Sequence, residues 1–368
     1  ISECLVGSEM CIRDRYNTLY YKIDERGSNM RELVKDILKT REKDGGINSV
    51  VWIAAGGSYG GFYPAQYFMD REATGIRSQS FTSNEFVFAP PKFCGPNTLA
   101  VICSMRGTPE TCEAARKAKR MGAVTLGLYV QESDLTEICD YRIQYQSIAL
   151  DDSKQDNVNS SIGLKLAMTL VDEVEGYGGY DDAMDGFRIL DDIYRKAVDY
   201  ATPLAKRWAE DNKDKDTIYV MGSGPAMGSA YIFSICNIME MLQIDSPTVN
   251  CCEFFHGPFE VIDKSVSVFL LIAEGRTRPA DERAVDFLKK YAGDNVYLLD
   301  AKELGINRIR DSVSEYFNHL IFSPVLNNVY MRQLSYAIKK DYNTRRYMWK
   351  VQYLSLIHIS EPTRHSLI

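Results

Sequence analysis

Glu240 is the first of two residues whose setting suits proton transfer. It is the only charged residue within the apolar stretch 231–244, which has the composition of a buried helix. Burial favours the neutral, protonated form of a carboxyl group, and a carboxyl that exchanges its proton near neutral pH can act as a general acid or base. The alternative interpretation is a structural glutamate that reaches solvent at the helix end or pairs with an arginine.

His256 is the second candidate, and it lies in the aromatic run 253–260. A Gly-Pro pair directly after it predicts a turn. Histidine titrates near neutral pH, so a constrained loop histidine suits acid or base chemistry, although a hydrogen-bonded structural histidine would fit as well. For His319, on a predicted helix, we expect a partly exposed residue without a chemical role.

Two turns rich in glycine and hydroxyl groups are candidates for binding a phosphate. Glycine lets the backbone come close to a ligand, and the amides at a helix N-terminus favour anions. The candidate phosphate-binding residues are Gly57, Ser58, Ser104, Arg106, Gly107 and Thr108. An ordinary strand–helix turn would explain the first group equally well, and Thr108 also fits a helix N-cap, a role compatible with phosphate binding. Neither turn has the G-x-G-x-x-G pattern of dinucleotide sites.

The elements that must position these residues occur twice along the chain. An apolar strand at 50–55 ends in Gly-Gly-Ser and leads into a helix, and a strand at 217–221 ends in Gly-Ser-Gly in the same way. Each is followed by two further apolar strands, at 99–103 and 124–129 in the first half and at 266–272 and 295–299 in the second. Short apolar strands alternating with helices are typical of parallel sheets. The sequence therefore predicts an α/β protein with two doubly wound parallel-sheet lobes related by an internal repeat.

We predict a first lobe over residues 16–170, linking helices over 171–212, and a second lobe with a basic, aromatic tail over 213–353. The two ends differ in character from this core. Residues 5–15 and 354–364 can be translated from the two strands of one oligonucleotide that resembles a sequencing adapter. We therefore expect residues 1–15 and 354–368 to be adapter-derived and exclude them from the fold. Two of the four histidines, His358 and His365, fall in that excluded part.

Composition narrows the classes of function. A net charge of −7 and a pI near 5.4 argue against nucleic-acid and anionic-membrane partners, and no apolar run reaches the roughly 18 residues that span a bilayer. The cysteines between the two ends form no C-x-x-C pair. We therefore expect reduced thiols in a cytoplasmic protein without a metal site.

The chain resembles the sugar isomerase (SIS) family, and within it the fructoselysine-6-phosphate deglycase branch. The resemblance covers about residues 20–353. It rests on the two-lobed layout, the Gly-Gly-Ser turn, the segment 82–86, and the Met239-Glu240 helix followed by the loop E-F-F-H-G-P-F-E. The resemblance implies that Glu240 and His256 perform acid–base chemistry without a metal or organic cofactor.

The same resemblance implies further properties of the site. Ser and Thr residues of the first lobe would hold the phosphate of a small sugar phosphate, and the active site would lie at the interface of a homodimer. Additional candidates for substrate binding are Glu85, Arg346 and Lys350. The substrate implied is an Amadori product, a fructose 6-phosphate linked to an amine through C1, cleaved to glucose 6-phosphate and the free amine.

Two departures from the family pattern bear on this assignment. The phosphate loop of SIS domains reads S-x-S-G-x-T, and residues 104–108 are one residue short of it. Where the synthase-type isomerase places an acid and a lysine on the helix, this chain has Phe233 and Asn237, which argues against aldose–ketose isomerisation of that type. A phosphosugar isomerase remains one alternative function, and a non-catalytic sugar-phosphate sensor is a second.

Overall fold

The computed structural model describes residues 19–21 and 28–351. The peptides expected to be adapter-derived, 1–15 and 354–368, lie outside the described residues. Within the described part, no helix is both long and apolar enough to cross a membrane.

The first lobe is built on a six-stranded, fully parallel sheet in the order β1-β6-β5-β4-β2-β3. Its strands are β1 Leu19–Tyr21, β2 Ser49–Ala54, β3 Arg77–Thr82, β4 Thr98–Cys103, β5 Val124–Tyr129 and β6 Tyr141–Gln144. Every residue of β2, β4 and β5 is buried, because helices cover both faces of the sheet. Val51 of β2 lies opposite Gln79 of β3 on one side and Ala100 of β4 on the other.

Seven helices belong to this half of the described chain. They are α1 Ser28–Lys39, α2 Gly56–Gly61, α3 Tyr63–Glu72, α4 Ser83–Phe88, α5 Pro109–Arg120, α6 Asp134–Ile138 and α7 Asn159–Glu175. Of these, α7 has the longest buried face and packs against α1 and α3. The prediction of a doubly wound parallel sheet is therefore confirmed for this lobe.

The second lobe is a smaller version of the same design. Its four parallel strands lie in the order β10-β9-β7-β8. They are β7 Ile218–Gly222, β8 Thr248–Asn250, β9 Ser267–Ile272 and β10 Val296–Asp300. The predicted internal repeat is visible in both sheets, since a strand ending in a glycine-containing turn leads into helical structure in each.

A 33-residue helix, α8 (Tyr180–Asn212), connects the lobes. It begins at Tyr180, after a glycine-rich loop at 176–179, and continues without a break to Asn212. Trp208 near its end packs edge-on against Phe269 of β9, with ring centroids 5.3 Å apart. This contact fixes the end of α8 against the second sheet.

The remaining helical segments surround the second sheet and meet the first lobe. They are α9 Met227–Ile232, the π-helical segment Phe233–Leu242, α10 Arg278–Tyr291, α11 Asn318–Val325, the π-helical segment Leu326–Tyr330 and α12 Met331–Ala337. After α12 the chain continues as the tail, residues 338–351, which crosses the first π-helical segment.

Candidate functional site

A cavity of about 680 Å³ opens at the carboxyl ends of the first sheet's strands. Its walls come from the turns after β2, β3, β4 and β6, from the π-helical segment Phe233–Leu242 and from the tail. In open parallel sheets this edge is where ligands bind, and the volume is typical of a small-molecule site. The cavity therefore brings both halves of the chain to one candidate active site.

The turn after β4 forms one wall of the cavity and is held in shape by its own hydroxyl groups. The Thr108 amide donates to Ser104 Oγ over 3.0 Å. Gly107 has a φ of +66°, in the left-handed region that favours glycine, and lies against Ser133. Of the predicted phosphate binders here, Ser104, Arg106 and Thr108 line the cavity, whereas Gly107 shapes the turn behind them.

Thr108 stands at the N-cap position of α5, as predicted, but its hydroxyl does not cap the helix. The hydroxyl instead hydrogen-bonds with Thr111 Oγ1 at 2.9 Å, and that atom lies 2.8 Å from Ser83 Oγ. The N-terminal amides of a helix have no partner within the helix and favour an anion. A row of hydroxyl groups beside such a helix end is a suitable environment for a phosphate.

The Gly-Gly-Ser turn after β2 supplies the neighbouring wall, where both Gly57 and Ser58 line the cavity. Ser58 also hydrogen-bonds with the thiol of Cys103, whose pKa burial raises to about 11. A Cβ on Gly57 would lie 3.7 Å from Cys236 Sγ of the π-helical segment. The turn therefore contacts the second lobe directly.

The corresponding crevice of the second lobe is filled by the protein's own side chains. A Cβ on Gly275 would lie 2.4 Å from Glu315 Cγ, and Arg276 Nε donates to Glu315 Oε2 over 2.8 Å. Ser223 Oγ donates to Thr277 Oγ1 over 2.9 Å. These side chains occupy the space in which a ligand of the second lobe would lie.

Glu240 lines the cavity from the π-helical segment, but it is less buried than its sequence predicts. Its side chain is 28% exposed, and Arg345 Nε of the tail donates to Glu240 Oε1 over 2.8 Å. This is the arginine pairing that the sequence left open as an alternative. The pairing does not exclude a chemical role, because the same carboxylate faces the cavity.

Asn237 and Phe233 occupy the helix positions where the synthase-type isomerase has a lysine and an acid. Asn237 lines the cavity and donates to Asn327 Oδ1 over 2.8 Å, whereas Phe233 is fully buried in the core. Neither residue can transfer a proton. Glu240 is the carboxylate that this segment presents to the cavity, beside the Cys236 thiol, whose pKa burial raises to about 12.

His256 is exposed and does not line this cavity. The aromatic residues of its loop pack within the chain. Phe254 is 1% exposed, and the rings of Phe255 and Phe259 lie 5.6 and 5.7 Å from the ring of Phe287 on α10. The loop is therefore rigidly held by its own lobe and presents His256 outward.

His319 is buried, contrary to the prediction of a partly exposed helical residue. Its ring hydrogen-bonds with Ser229 Oγ through Nδ1 and with Ser323 Oγ through Nε2, each at 3.1 Å. Burial lowers the pKa of His319 to about 3, so the ring is neutral near pH 7. It supports the back of the cavity and is not a candidate acid at neutral pH.

The three further substrate-binding candidates lie outside the cavity wall. Glu85 is exposed on α4, and Arg346 and Lys350 are exposed on the tail. The tail residues that do line the cavity are Arg345, Met348 and Trp349. The basic, aromatic composition of the tail indicated that it could contribute, but sequence could not distinguish Arg345 from its neighbour.

Several other polar residues of the cavity were not predicted. They include Tyr145, Ser147, Asn159 and Asn327. Among the residues with described side chains, no group of three His, Cys, Asp or Glu side chains is placed to hold a metal ion.

Sequence comparison identifies several similar proteins, although no family model matches the chain. The fructosamine deglycase FrlB of Bacillus subtilis is 36% identical over 309 residues, covering 83% of this chain and 93% of the relative. The fructoselysine 6-phosphate deglycase of Escherichia coli is 23% identical over 82% of this chain and 85% of the relative.

Solved structures agree with these relatives. A protein of Salmonella typhimurium classed as a phosphosugar isomerase superimposes with a TM-score of 0.84 at 38% identity, covering 89% of this chain and all of the other. A Bacillus subtilis protein of the same class gives 0.81 at 34% identity with the same coverage.

We predict that Gly107→Ala destabilises the protein by more than Gly305→Ala does. Both glycines have a positive φ, in the left-handed region of backbone conformation. This conformation costs a residue with a side chain about 1–2 kcal/mol. An alanine Cβ at 107 would also lie 2.3 Å from Ser133 Oγ, whereas at 305 its nearest neighbour is 3.6 Å away. Urea unfolding of the two variants measures the difference. Equal losses of unfolding free energy would show that the turn after β4 relaxes freely around the new methyl group.

Proposed function

Because the chain belongs to the fructosamine deglycase family of sugar isomerase (SIS) proteins, we propose that it cleaves Amadori 6-phosphates. The substrate class is a 1-amino-1-deoxyfructose 6-phosphate, and the products are glucose 6-phosphate and the free amine.

The observation that carries this proposal is the meeting of two groups in one cavity. The hydroxyl-lined turn 104–108 at the N-terminus of α5 comes from the first lobe, and the carboxylate of Glu240 comes from the second. A sugar phosphate bound with its phosphate at that turn would extend its reacting carbons away from α5 and into the cavity. The nearby Arg106 adds a positive charge at the exposed side of the turn.

Glu240 is the proposed base for the proton transfer between C1 and C2. The ring-opened substrate is an α-amino ketone, and removal of a C1 proton with protonation of O2 gives an enaminol. Return of the proton to C2 gives an imine at C1, which water hydrolyses to glucose 6-phosphate and the amine. The C2 carbonyl accepts the electron pair when C1 loses its proton, and the substrate nitrogen donates its lone pair to form the C=N bond when C2 is protonated, so these steps need no cofactor.

His256 is the proposed acid for ring opening or for protonation of O2, and a second copy of the chain would supply it. The residue is exposed on a loop that packs firmly on its own lobe. It does not line the cavity of its own chain. A homodimer in which each loop completes the neighbouring site satisfies both observations.

The thiols support a cytoplasmic location for the enzyme, and the net charge bears on its partners. All seven cysteines of the described residues are free thiols, which fits a reducing, cytoplasmic environment. The acidic net charge of −7 favours neither nucleic acid nor an anionic membrane as partner.

A phosphosugar isomerase is the second candidate function, because enaminol and enediol chemistry use the same base. The names of the solved neighbours favour it. The neutral Asn237 and the buried Phe233 favour the deglycase, since both synthase-type proton-transfer positions are lost.

We predict that Glu240→Gln lowers the rate of amine release by about 10²–10⁴-fold, the usual cost of losing a general base. The assay follows free amine and glucose 6-phosphate from a panel of Amadori 6-phosphates. Glu210→Gln, which alters an exposed glutamate on α8, is the matched control and should keep the wild-type rate.

Two results would contradict the proposal. A Glu240→Gln variant with more than about a tenth of the wild-type rate would remove Glu240 as the base. A wild-type protein that interconverts sugar phosphates but releases no amine from any member of the panel would favour the isomerase.

We further predict that two inactive variants restore each other when they share a dimer. Glu240→Gln and His256→Ala subunits, unfolded and refolded together, would form about half mixed dimers. Each mixed dimer then holds one intact and one doubly altered site, so the activity should reach roughly a quarter of wild type. If mass spectrometry shows mixed dimers and no activity returns, His256 does not act across the interface.

A further inference from the structure

The tail reaches the cavity through one charged contact. Arg345 Nε donates to Glu240 Oε1 over 2.8 Å, and both side chains are shielded, with 17% and 28% of their surfaces exposed. An exposed ion pair would stabilise the fold little. At the wall of a cavity, the same contact determines where a carboxylate points.

The guanidinium of Arg345 is itself held in place by the tail. Its Nη1 donates to the carbonyl oxygen of Tyr342 over 2.6 Å and to that of Thr344 over 3.1 Å. The arginine is therefore oriented before it meets Glu240, and the carboxylate aligns to a fixed donor. A planar guanidinium keeps this geometry better than an ammonium group would.

Few other charged or titratable groups surround Glu240 in the described part of the chain. Cys236 lies one turn earlier on the same segment, and burial, followed by the charge of Glu240, raises the pKa of its thiol to about 12. Arg346 is exposed and hydrogen-bonds with Gln243, and Asp245 lines the same outer groove. Arg345 is the cation that touches the carboxylate.

We propose that Arg345 is a positioning residue, which holds the carboxylate of Glu240 in the orientation that proton transfer at C1 requires. The inference rests on the proposed function and deepens it. Arg345 occupies Oε1 and leaves Oε2 for the substrate proton. Because Arg345 lies on the tail, Glu240 is held in this orientation when the tail packs against the π-helical segment.

The test replaces Arg345 with methionine, which keeps much of the stem, and with lysine, which keeps the charge. For Arg345→Met we expect kcat to fall roughly 10- to 10²-fold, because a misplaced catalytic group costs about that much, with KM nearly unchanged. Arg345→Lys keeps a donor on the tail for Glu240 Oε1 and should restore part of kcat.

Two controls separate positioning from damage to the fold. Lys339→Met alters an exposed basic residue of the same tail and should keep wild-type kinetics. In the Glu240→Gln background, Arg345→Met should cause little further loss, because a residue that acts through Glu240 has nothing left to position.

The outcomes distinguish this inference from the proposed function. If Glu240→Gln abolishes amine release while Arg345→Met keeps the wild-type kcat, positioning by Arg345 is wrong and the deglycase proposal stands. Arg345 would be a substrate contact instead if Arg345→Met raised KM strongly and the double variant also bound a substrate analogue more weakly than Glu240→Gln alone. If the Glu240→Gln variant stays active, Glu240 is not the base, and the positioning role of Arg345 is rejected with it.

Discussion

The candidate site depends on how closely a helix of the first lobe approaches a helix of the second. A Cβ on Gly60 of α2 would lie 2.4 Å from Ile232 Cγ1 of α9, a distance that a side chain could not occupy. Because glycine has no Cβ, α2 can press against α9 and the π-helical segment that follows it. That contact brings Ser58 and Glu240, which lie far apart in sequence, to the same cavity.

A second set of interactions, at the Gly275 turn, holds the two lobes together. Tyr67 of α3 donates to Glu315 over 2.5 Å, and Glu315 also accepts from Arg276 of the second lobe. Tyr316 Oη accepts from Arg276 over 2.8 Å and donates to Glu72 of α3. The network fills the second lobe's crevice with charged side chains of the protein itself. The two halves of the internal repeat therefore differ: the first has an open cavity, the proposed phosphate site, and the second has a structural contact between the lobes.

Sequence predicted the central strands well because they are buried on both faces. The runs at 50–55, 99–103 and 124–129 are continuously apolar and became β2, β4 and β5. Strand β3 was not predicted because it lies at the sheet edge and reads Arg-Ser-Gln-Ser-Phe-Thr, in which every residue but Phe81 is exposed or partly exposed. Strand β8 has three partly exposed residues and no distinctive pattern.

For the site, turn chemistry identified Ser58, Ser104 and Thr108 as residues of the cavity wall, because the strand–helix turns of a parallel sheet lie at the edge where its crevice opens. Burial was harder to judge. Glu240 appeared isolated in an apolar run, yet its partner Arg345 lies 105 residues later and is one of two adjacent arginines. His319 is buried by contacts with α9 that its own helix pattern does not reveal. Such distant pairings follow from the fold and are not encoded in local spacing.

The central claim is that one cavity holds the phosphate in the first lobe and the reacting carbons at Glu240. A crystal structure with an unreactive substrate analogue, a 1-amino-1-deoxyhexitol 6-phosphate, tests it most directly. We expect the phosphate oxygens to accept hydrogen bonds from Ser104, Thr108 and the first amides of α5. We also expect C1 to lie about 3–3.5 Å from a carboxylate oxygen of Glu240. A phosphate bound at the Gly275 turn, or an analogue whose C1 faces away from Glu240, would contradict this account.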